Sequence, residues 1–447
     1  MFQVFLLVSS VVLLLVLISK VKLHAFLSLL TVSLVLGVAS GLPLGYLAMN
    51  VAAGFGAIMQ HIGIVIVCGV IIGQILEETG AAQKIGASIL KLVGAKRATL
   101  ATAATGSVVS IPVFCDAGFV ILNPVIKTLS KAGKIPYMCL VSALMAGLLL
   151  THSLMPPTPG PIAAAGILGA DVGIVMLYGL IISIPVLIGI YFWCNSNFLR
   201  RRYPEIAETD EVSEADVQKF NERAAKAPST AMSYFPIVLP IVLIMIRSFA
   251  MLYATAGQRE ALWFGAIDFV GTPYIALLIG VFSAFLLPAK MSKEVSESWV
   301  SKAMKGSAEI ILITGIAGSF GRVLQITGVG NVMAEGFLLL NLPSVVLPFA
   351  ISSIVLIAQG SATVALTTTA AIILPLLPSL GISPELAVIA IAGGSFTGVF
   401  PQGSYFWVVT NLAGYDIKKG YVAVTATTFV MGAIAFAAIL VLSLFVS

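Results

Sequence analysis

Apolar runs of membrane-spanning length follow one another along almost the whole chain, separated by short polar clusters. About 20 apolar residues in a helix cross the hydrocarbon core of a bilayer. The runs predict spanning elements at 2–18, 24–42 and 58–76, a longer block at 98–129, and further elements at 137–168 and 174–193. An amphipathic stretch, 44–56, lies between the second and third. After a polar segment, 195–229, the pattern resumes with 234–253, 263–287, 308–326, a block at 343–378, 385–411, and 421 to the end. The order is six elements, a linker, and six more.

The basic residues give these elements a direction. Of 24 Lys and Arg, none lies between Leu23 and Gln83, between Ile135 and Leu199, or between Val323 and Ile417. Cytoplasmic loops collect Lys and Arg, so the clusters mark the inside. The block 98–129 has Lys96 and Arg97 before it and Lys127, Lys131 and Lys134 at its far end. A single crossing would put one cluster outside, so this block is expected to be a re-entrant hairpin. Block 343–378 has no basic flank and is expected to enter and leave from outside. All basic residues but Arg247, Arg259 and Arg322 then fall inside. The expected fold is an all-α polytopic membrane protein with two inverted-topology repeats, each holding a re-entrant hairpin and a broken transmembrane helix. Its parts are a first repeat at 1–194, a cytoplasmic linker at 195–231 and a second repeat at 232–447. Inverted repeats of this kind build secondary transporters. A weak echo links the halves, Thr79-Gly80-Ala81-Ala82 against Thr327-Gly328-Val329-Gly330.

Composition narrows the class. The chain is 59% apolar and 10% charged, against about 25% charged in soluble domains. The net charge of +5 belongs to inside loops and not to nucleic-acid binding. No positive residue precedes run 2–18, and Lys20 and Lys22 follow it, the reverse of a cleaved signal. It reads as a first spanning helix with its N-terminus outside. Cys68, Cys115, Cys139 and Cys194 stand apart with no Cys-x-x-Cys, so they read as packing residues, with no metal site and no cofactor.

Candidate chemistry gathers at four interruptions. The hairpin of the first half carries Gly106 to Gly118, with Pro112; its broken helix carries His152 to Pro161, with four prolines. The second half has Gln359 to Thr369 and Gly393 to Ser404. Proline breaks a helix, and non-helical backbone at membrane depth survives only where protein buries it or water lines it. Half-helix N-termini there present unpaired N–H groups and a positive dipole end. They bind an anion without a buried Lys or Arg, and none lies in any interruption. The hydroxyls of Ser107, Ser110, Ser153, Thr158, Ser361, Thr363, Ser395, Thr397 and Ser404 add donors and acceptors for a hydroxylated substrate. Close helix packing is the other reading of these small residues.

Asp116 is the one carboxylate deep in an apolar element beside an interruption. Such an acid is a functional candidate by default; it either carries the coupled proton or accepts hairpin N–H groups. His152, beside the broken helix, either joins the proton path or packs through a hydrogen bond. His24 and His61 lie away from the interruptions and read as packing. Arg322 and Glu309 share one predicted helix, 13 residues apart; Arg322 needs a partner or a snorkelling route, and a structural ion pair is expected there rather than substrate binding.

At these motifs the chain resembles the gluconate permease (gluconate:H+ symporter) family of the ion transporter superfamily. The likeness is carried by Ile75-Leu-Glu-Glu-Thr-Gly-Ala-Ala82, Pro112-Val-Phe-Cys-Asp-Ala-Gly-Phe-Val-Ile-Leu-Asn-Pro124, and His152 to Pro161 followed by Gly169-Ala-Asp171. Gly360-Ser-Ala-Thr-Val364 and Ile382-Ser-Pro-Glu385 extend it through the second half. The resemblance implies proton-coupled uptake of gluconate or related sugar acids across a bacterial inner membrane, a homodimer and elevator-type alternating access. Asp116 stands where the family often has Glu, and Thr158 where it often has His. Glycerate or another sugar acid is therefore as open as gluconate.

The reading is a proton-coupled secondary transporter of a small hydroxy-carboxylate, with Asp116 and His152 for the proton and both termini periplasmic. Sodium coupling and a channel remain the alternatives. No nucleophile or metal motif supports an enzyme.

Overall fold

The computed structural model describes residues 6–446 except 7, 8, 11, 15, 18, 19, 94–96, 112, 208–210, 289, 328–342 and 402. Most of the first predicted element and Gly328 to Gly330 of the echo therefore lie outside the described residues, as does Pro112. All regular structure among the described residues is helical. Among the described residues five helices are long and apolar enough to cross a bilayer, Tyr137–Leu168, Val172–Arg202, Thr230–Met251, Glu294–Ile326 and Ile417–Ser443. Two bent pairs add to them. Ile64–Glu78 turns by 77° into Ala81–Ser88 at Gly80, whose φ of +76° suits glycine. Leu262–Gly271 turns by 68° into Pro273–Ala284. The second bend falls within the element expected over 263–287. Pro273 disfavours helical backbone at Thr272, which is extended at ψ 128°.

Nine helices position the site: α1 (Ala98–Val109), α2 (Cys115–Gly133), α3 (Tyr137–Leu154), α4 (Pro159–Leu168), α5 (Val300–Ile326), α6 (Val346–Gln359), α7 (Ala362–Ile373), α8 (Pro384–Gly394) and α9 (Ser404–Leu412). Helices α1 and α2 pack on each other and on α3. Both ends of the pair return to one polar segment. Thr99 Oγ1, near the start of α1, accepts from Asn195 Nδ2 at 2.6 Å. Ser130 Oγ, near the end of α2, accepts from Ala207 N at 3.0 Å. The basic clusters at both ends required this return. Helices α6 and α7 form the corresponding pair in the second half, closed at Gly360.

The broken helices run in opposite senses. The α3 end is tied to the linker through Tyr137 N, which donates to Glu205 O at 2.9 Å. The exit of α9 returns to the same residue, where Lys419 Nζ donates to Glu205 Oε1 at 3.1 Å. At the other end, Asp171 N beyond α4 donates to Glu385 Oε1 at the start of α8, at 2.8 Å. Arg247, one of the three basic residues assigned away from the inside, joins this end by an ion pair to Asp171 at 3.9 Å and also pairs with Asp268 at 2.8 Å.

Helix α3 is buried along its whole length. Its contact with α1 is set by small residues and paired hydroxyls. Ser107 Oγ donates to Gly147 O at 3.1 Å, and Thr151 Oγ1 donates to Ser107 O at 2.6 Å. A Cβ on Gly147 would fall 2.0 Å from the Ala103 carbonyl oxygen. Backbone this close cannot yield by a side-chain rotation, so Gly147→Ala is expected to destabilise the protein by about 1–3 kcal/mol. A lowered melting temperature of the purified protein measures it; an unchanged one would show that α1 and α3 are free to separate.

Candidate functional site

The interruptions of the two halves meet at a cavity of about 240 Å³. At about 30 Å³ of liquid volume per water it matches roughly eight waters, the scale of a small metabolite. Three helices begin at its wall. Phe114 is extended at ψ 141° and has no side-chain cap, so α2 opens with bare N–H groups at Cys115 and Asp116. Gly360, in the left-handed region at φ +84°, ends α6; Ser361 then starts α7, its Oγ accepting from Val364 N at 3.4 Å. Gly403 is extended at ψ 138° and cannot cap, so α9 opens bare at Ser404. A Cβ on Gly403 would lie 2.5 Å from the Gly360 carbonyl oxygen. Glycine there lets the second hairpin tip touch the second broken helix and brings the starts of α7 and α9 together. Unpaired N–H groups and the positive dipole ends of three helices face one space.

The lining combines these starts with side chains from four other places. Asp116 stands in the first turn of α2 and is half-buried. His152 of α3 is 7% exposed, its ring tilted against Phe114 at 6.1 Å, and its Nδ1 has no hydrogen-bond partner among the described residues. Tyr405 of α9 lines the wall while its hydroxyl donates to Met145 O at 3.1 Å. Leu149, Ile313 and Leu356 supply apolar surface, and no Lys or Arg is among the lining residues.

Of the nine hydroxyl residues, Ser361, Thr363 and Ser404 line the cavity. Thr158 lies next to it in a recess shared with His152 and Phe114, its Oγ1 donating to Met155 O. Four others are taken up by backbone. Ser107 joins α1 to α3, and Ser110 Oγ donates to Val113 O at 3.1 Å within the hairpin tip. Ser395 donates to Ala392 O at 2.8 Å and Thr397 to Gly393 O at 2.8 Å. Ser153 is fully buried, without a partner among the described residues and outside the lining.

Glu309 was missed as a site residue. It lines the cavity from α5, and its Oε1 accepts from His24 Nε2 at 3.2 Å. The expected Glu309–Arg322 pair does not form. Thirteen residues at about 1.5 Å rise separate them by about 20 Å along α5. Arg322 Nε instead donates to Asn50 Oδ1 at 3.2 Å. His24 likewise departs from the packing reading: its side chain is 54% exposed, beside the cavity. The side chain of His61 lies outside the described residues. All four cysteines are buried and unbridged, as packing residues are.

Against known proteins, the sequence profile described as GntP family permease matches residues 2–445. An uncharacterized permease of Haemophilus influenzae is 36% identical over 94% of this chain and 88% of its own length. The low-affinity gluconate transporter of Escherichia coli K12 is 32% identical over 91% of this chain and 90% of its own. The gluconate permease of Bacillus subtilis is 30% identical over 97% of each. Among solved structures, the YdaH transporter of Alcanivorax borkumensis superposes with a TM-score of 0.66 at 16% identity, over 90% of this chain and 89% of that one. MtrF of Neisseria gonorrhoeae gives 0.67 at 16%, over 90% and 84%. At that identity the likeness speaks for the fold.

Proposed function

The chain belongs to the GntP permease family, and we propose that it imports a small hydroxylated carboxylate, of the gluconate or glycerate kind, together with a proton. It is a multi-pass transporter of the inner membrane and not an enzyme. The observation that carries the cargo class is the meeting of three helix starts, at Cys115, Ala362 and Ser404, in one cavity without Lys or Arg. Partial positive charge from backbone suits a carboxylate. Ser361, Thr363 and Ser404 suit its hydroxyl groups. The named gluconate transporters among the relatives support the same class. Asp116 carries the coupled proton, with His152 beside it as the second titratable group of the wall.

The mechanism we propose is alternating access of elevator type, with repeats at 1–194 and 232–447 of opposite orientation and a cytoplasmic linker at 195–231. Its support is the antiparallel course of the broken helices and the packing of α5 between Ala25–Ala39 and Leu44–Ile58 on one side and α7 on the other. Ser319 Oγ of α5 donates to Val51 O at 2.6 Å, and Gly54 meets Ser319 backbone closely. On this reading the mobile body holds both hairpins and both broken helices, both termini face the periplasm, and the unit in the membrane is a homodimer.

Ligand binding tests the cargo class. A ligand held only by the folded state stabilises it by about 2.7 kcal/mol at 100 times its Kd. The expected result is a raised melting temperature with one or more C3–C6 hydroxy acids and none with the matching neutral polyols. A response to polyols alone would remove the carboxylate from the reading. Uptake into proteoliposomes under a pH gradient with sodium absent tests the coupling; an absolute sodium requirement would remove the proton.

A further inference from the structure

The cavity holds a second carboxylate that the proton role of Asp116 does not use. Glu309 lies at its mouth with its side chain 68% exposed, whereas Asp116 sits half-buried at the start of α2. His24 positions Glu309 by a hydrogen bond. Phe26 N donates to His24 Nδ1 at 3.3 Å, so Nδ1 is the acceptor nitrogen and the ring proton sits on Nε2. Nε2–H then donates to Glu309 Oε1 at 3.2 Å. The mouth opens on the basic side of the molecule. His24 follows Lys20 and Lys22, and two turns before Glu309 on α5 Lys302 pairs with Glu78 at 2.8 Å.

We propose that Glu309, positioned by His24, is the cytoplasmic proton acceptor of the cavity. This rests on the proposed function, in which Asp116 arrives protonated with the substrate. In the cytoplasm-facing state the Asp116 carboxyl gives up its proton, through the water of the open mouth, and becomes a carboxylate. Glu309 takes that proton, becomes neutral and passes it to the cytoplasm, returning to a carboxylate. The Asp116 charge regained next to the bound anion favours release of the anion to the same side. The other titratable groups of the cavity wall are Cys115 and Asp116 of α2, His152 of α3 and Tyr405 of α9, with His24 in contact with Glu309 and Lys305 one turn back on α5 itself. Among the described titratable residues of the wall, Glu309 is the exposed one. Helix α5 packs on Ala25–Ala39 and Leu44–Ile58 on one side and on α7 of the second hairpin on the other, so Glu309 reaches the cavity from the seam between them.

The test uses the full-length protein in proteoliposomes without sodium and compares two readouts: accumulation driven by a pH gradient, and counterflow exchange of labelled for unlabelled substrate at equal pH. Exchange returns the carrier loaded and needs no net proton release. For Glu309→Gln the expected result is loss of accumulation relative to exchange, with Glu309→Asp restoring the ratio. Asp116→Asn separates this inference from the reading beneath it. If Asp116→Asn loses the ratio and Glu309→Gln keeps it, Glu309 is not the acceptor and the proton role of Asp116 stands. If both keep it, the proton role of Asp116 falls and this inference with it. If Glu309→Gln loses both readouts while its melting temperature holds, Glu309 serves binding, and the acceptor role is overturned.

Discussion

Asp116→Asn is expected to leave a protein that exchanges substrate but no longer concentrates it. A free-energy difference of about 1.4 kcal/mol is tenfold in an equilibrium constant, and one proton crossing a one-unit pH gradient delivers that amount. A 1:1 symporter thus concentrates its substrate about tenfold per pH unit, and the Asn variant should come to rest at equal concentrations. Asparagine keeps the size of Asp116 and its place in the first turn of α2, so the bare helix start remains. What it lacks is a group that titrates. Initial uptake and final accumulation ratio, measured together, separate this from a simple loss of binding. A variant that still concentrates substrate tenfold would make Asp116 an acceptor for hairpin N–H groups, the role weighed against proton transfer from the sequence. Glu at the same position, the residue frequent in the resembled family, is expected to keep coupling.

The chain announced its architecture through charge. Bases at both ends of 98–129 required that block to return, and the return is visible in the bonds from Thr99 and Ser130 to residues 195 and 207. Proline and glycine announced where helices break, and three of the breaks start helices at the cavity wall. Individual site residues were much less legible. A hydroxyl in an apolar segment signals equally a substrate contact and a bond to its own backbone. Ser395 and Thr397 chose the backbone, as did Ser107 and Ser110, whereas Ser361, Thr363 and Ser404 stand at helix starts and face the cavity. Position relative to a break, two or three residues before or after it, decided the outcome more than residue type did. The Glu309–His24 pair joins residues 285 apart, beyond any local pattern. The one clue was an acid inside a predicted spanning helix, and the base on the same helix drew it into the wrong pair. Helical rise alone argued against that pair, since two groups 13 residues apart do not meet.

Placing a carboxylate at the start of α9 should separate stability from binding, with opposite signs. Ser404 follows the bare cap of Gly403 and is exposed in the cavity. An acid in the first turn of a helix interacts favourably with the dipole, by about 0.3–1 kcal/mol. Ser404→Asp is therefore expected to fold as well as the parent protein or slightly better. For an anionic substrate the same charge is repulsive. Two unit charges 4 Å apart at an effective dielectric constant of 20 interact by about 4 kcal/mol, close to three powers of ten in affinity. Ser404→Ala removes only one neutral hydrogen bond, about 0.5–1.5 kcal/mol, so its loss should not exceed about tenfold. The order expected in ligand-induced thermal shift is parent, then Ala, then Asp with no shift, while the unliganded melting temperatures of all three stay together. Steric loss predicts otherwise: Ser404→Asn, the neutral isostere of Asp, would then fail as badly as Asp. Retention of binding by Asn and its loss by Asp would place the negative charge of the substrate at the start of α9. Equal binding by Asn and Asp would mean that the carboxylate lies elsewhere, at the starts of α2 or α7.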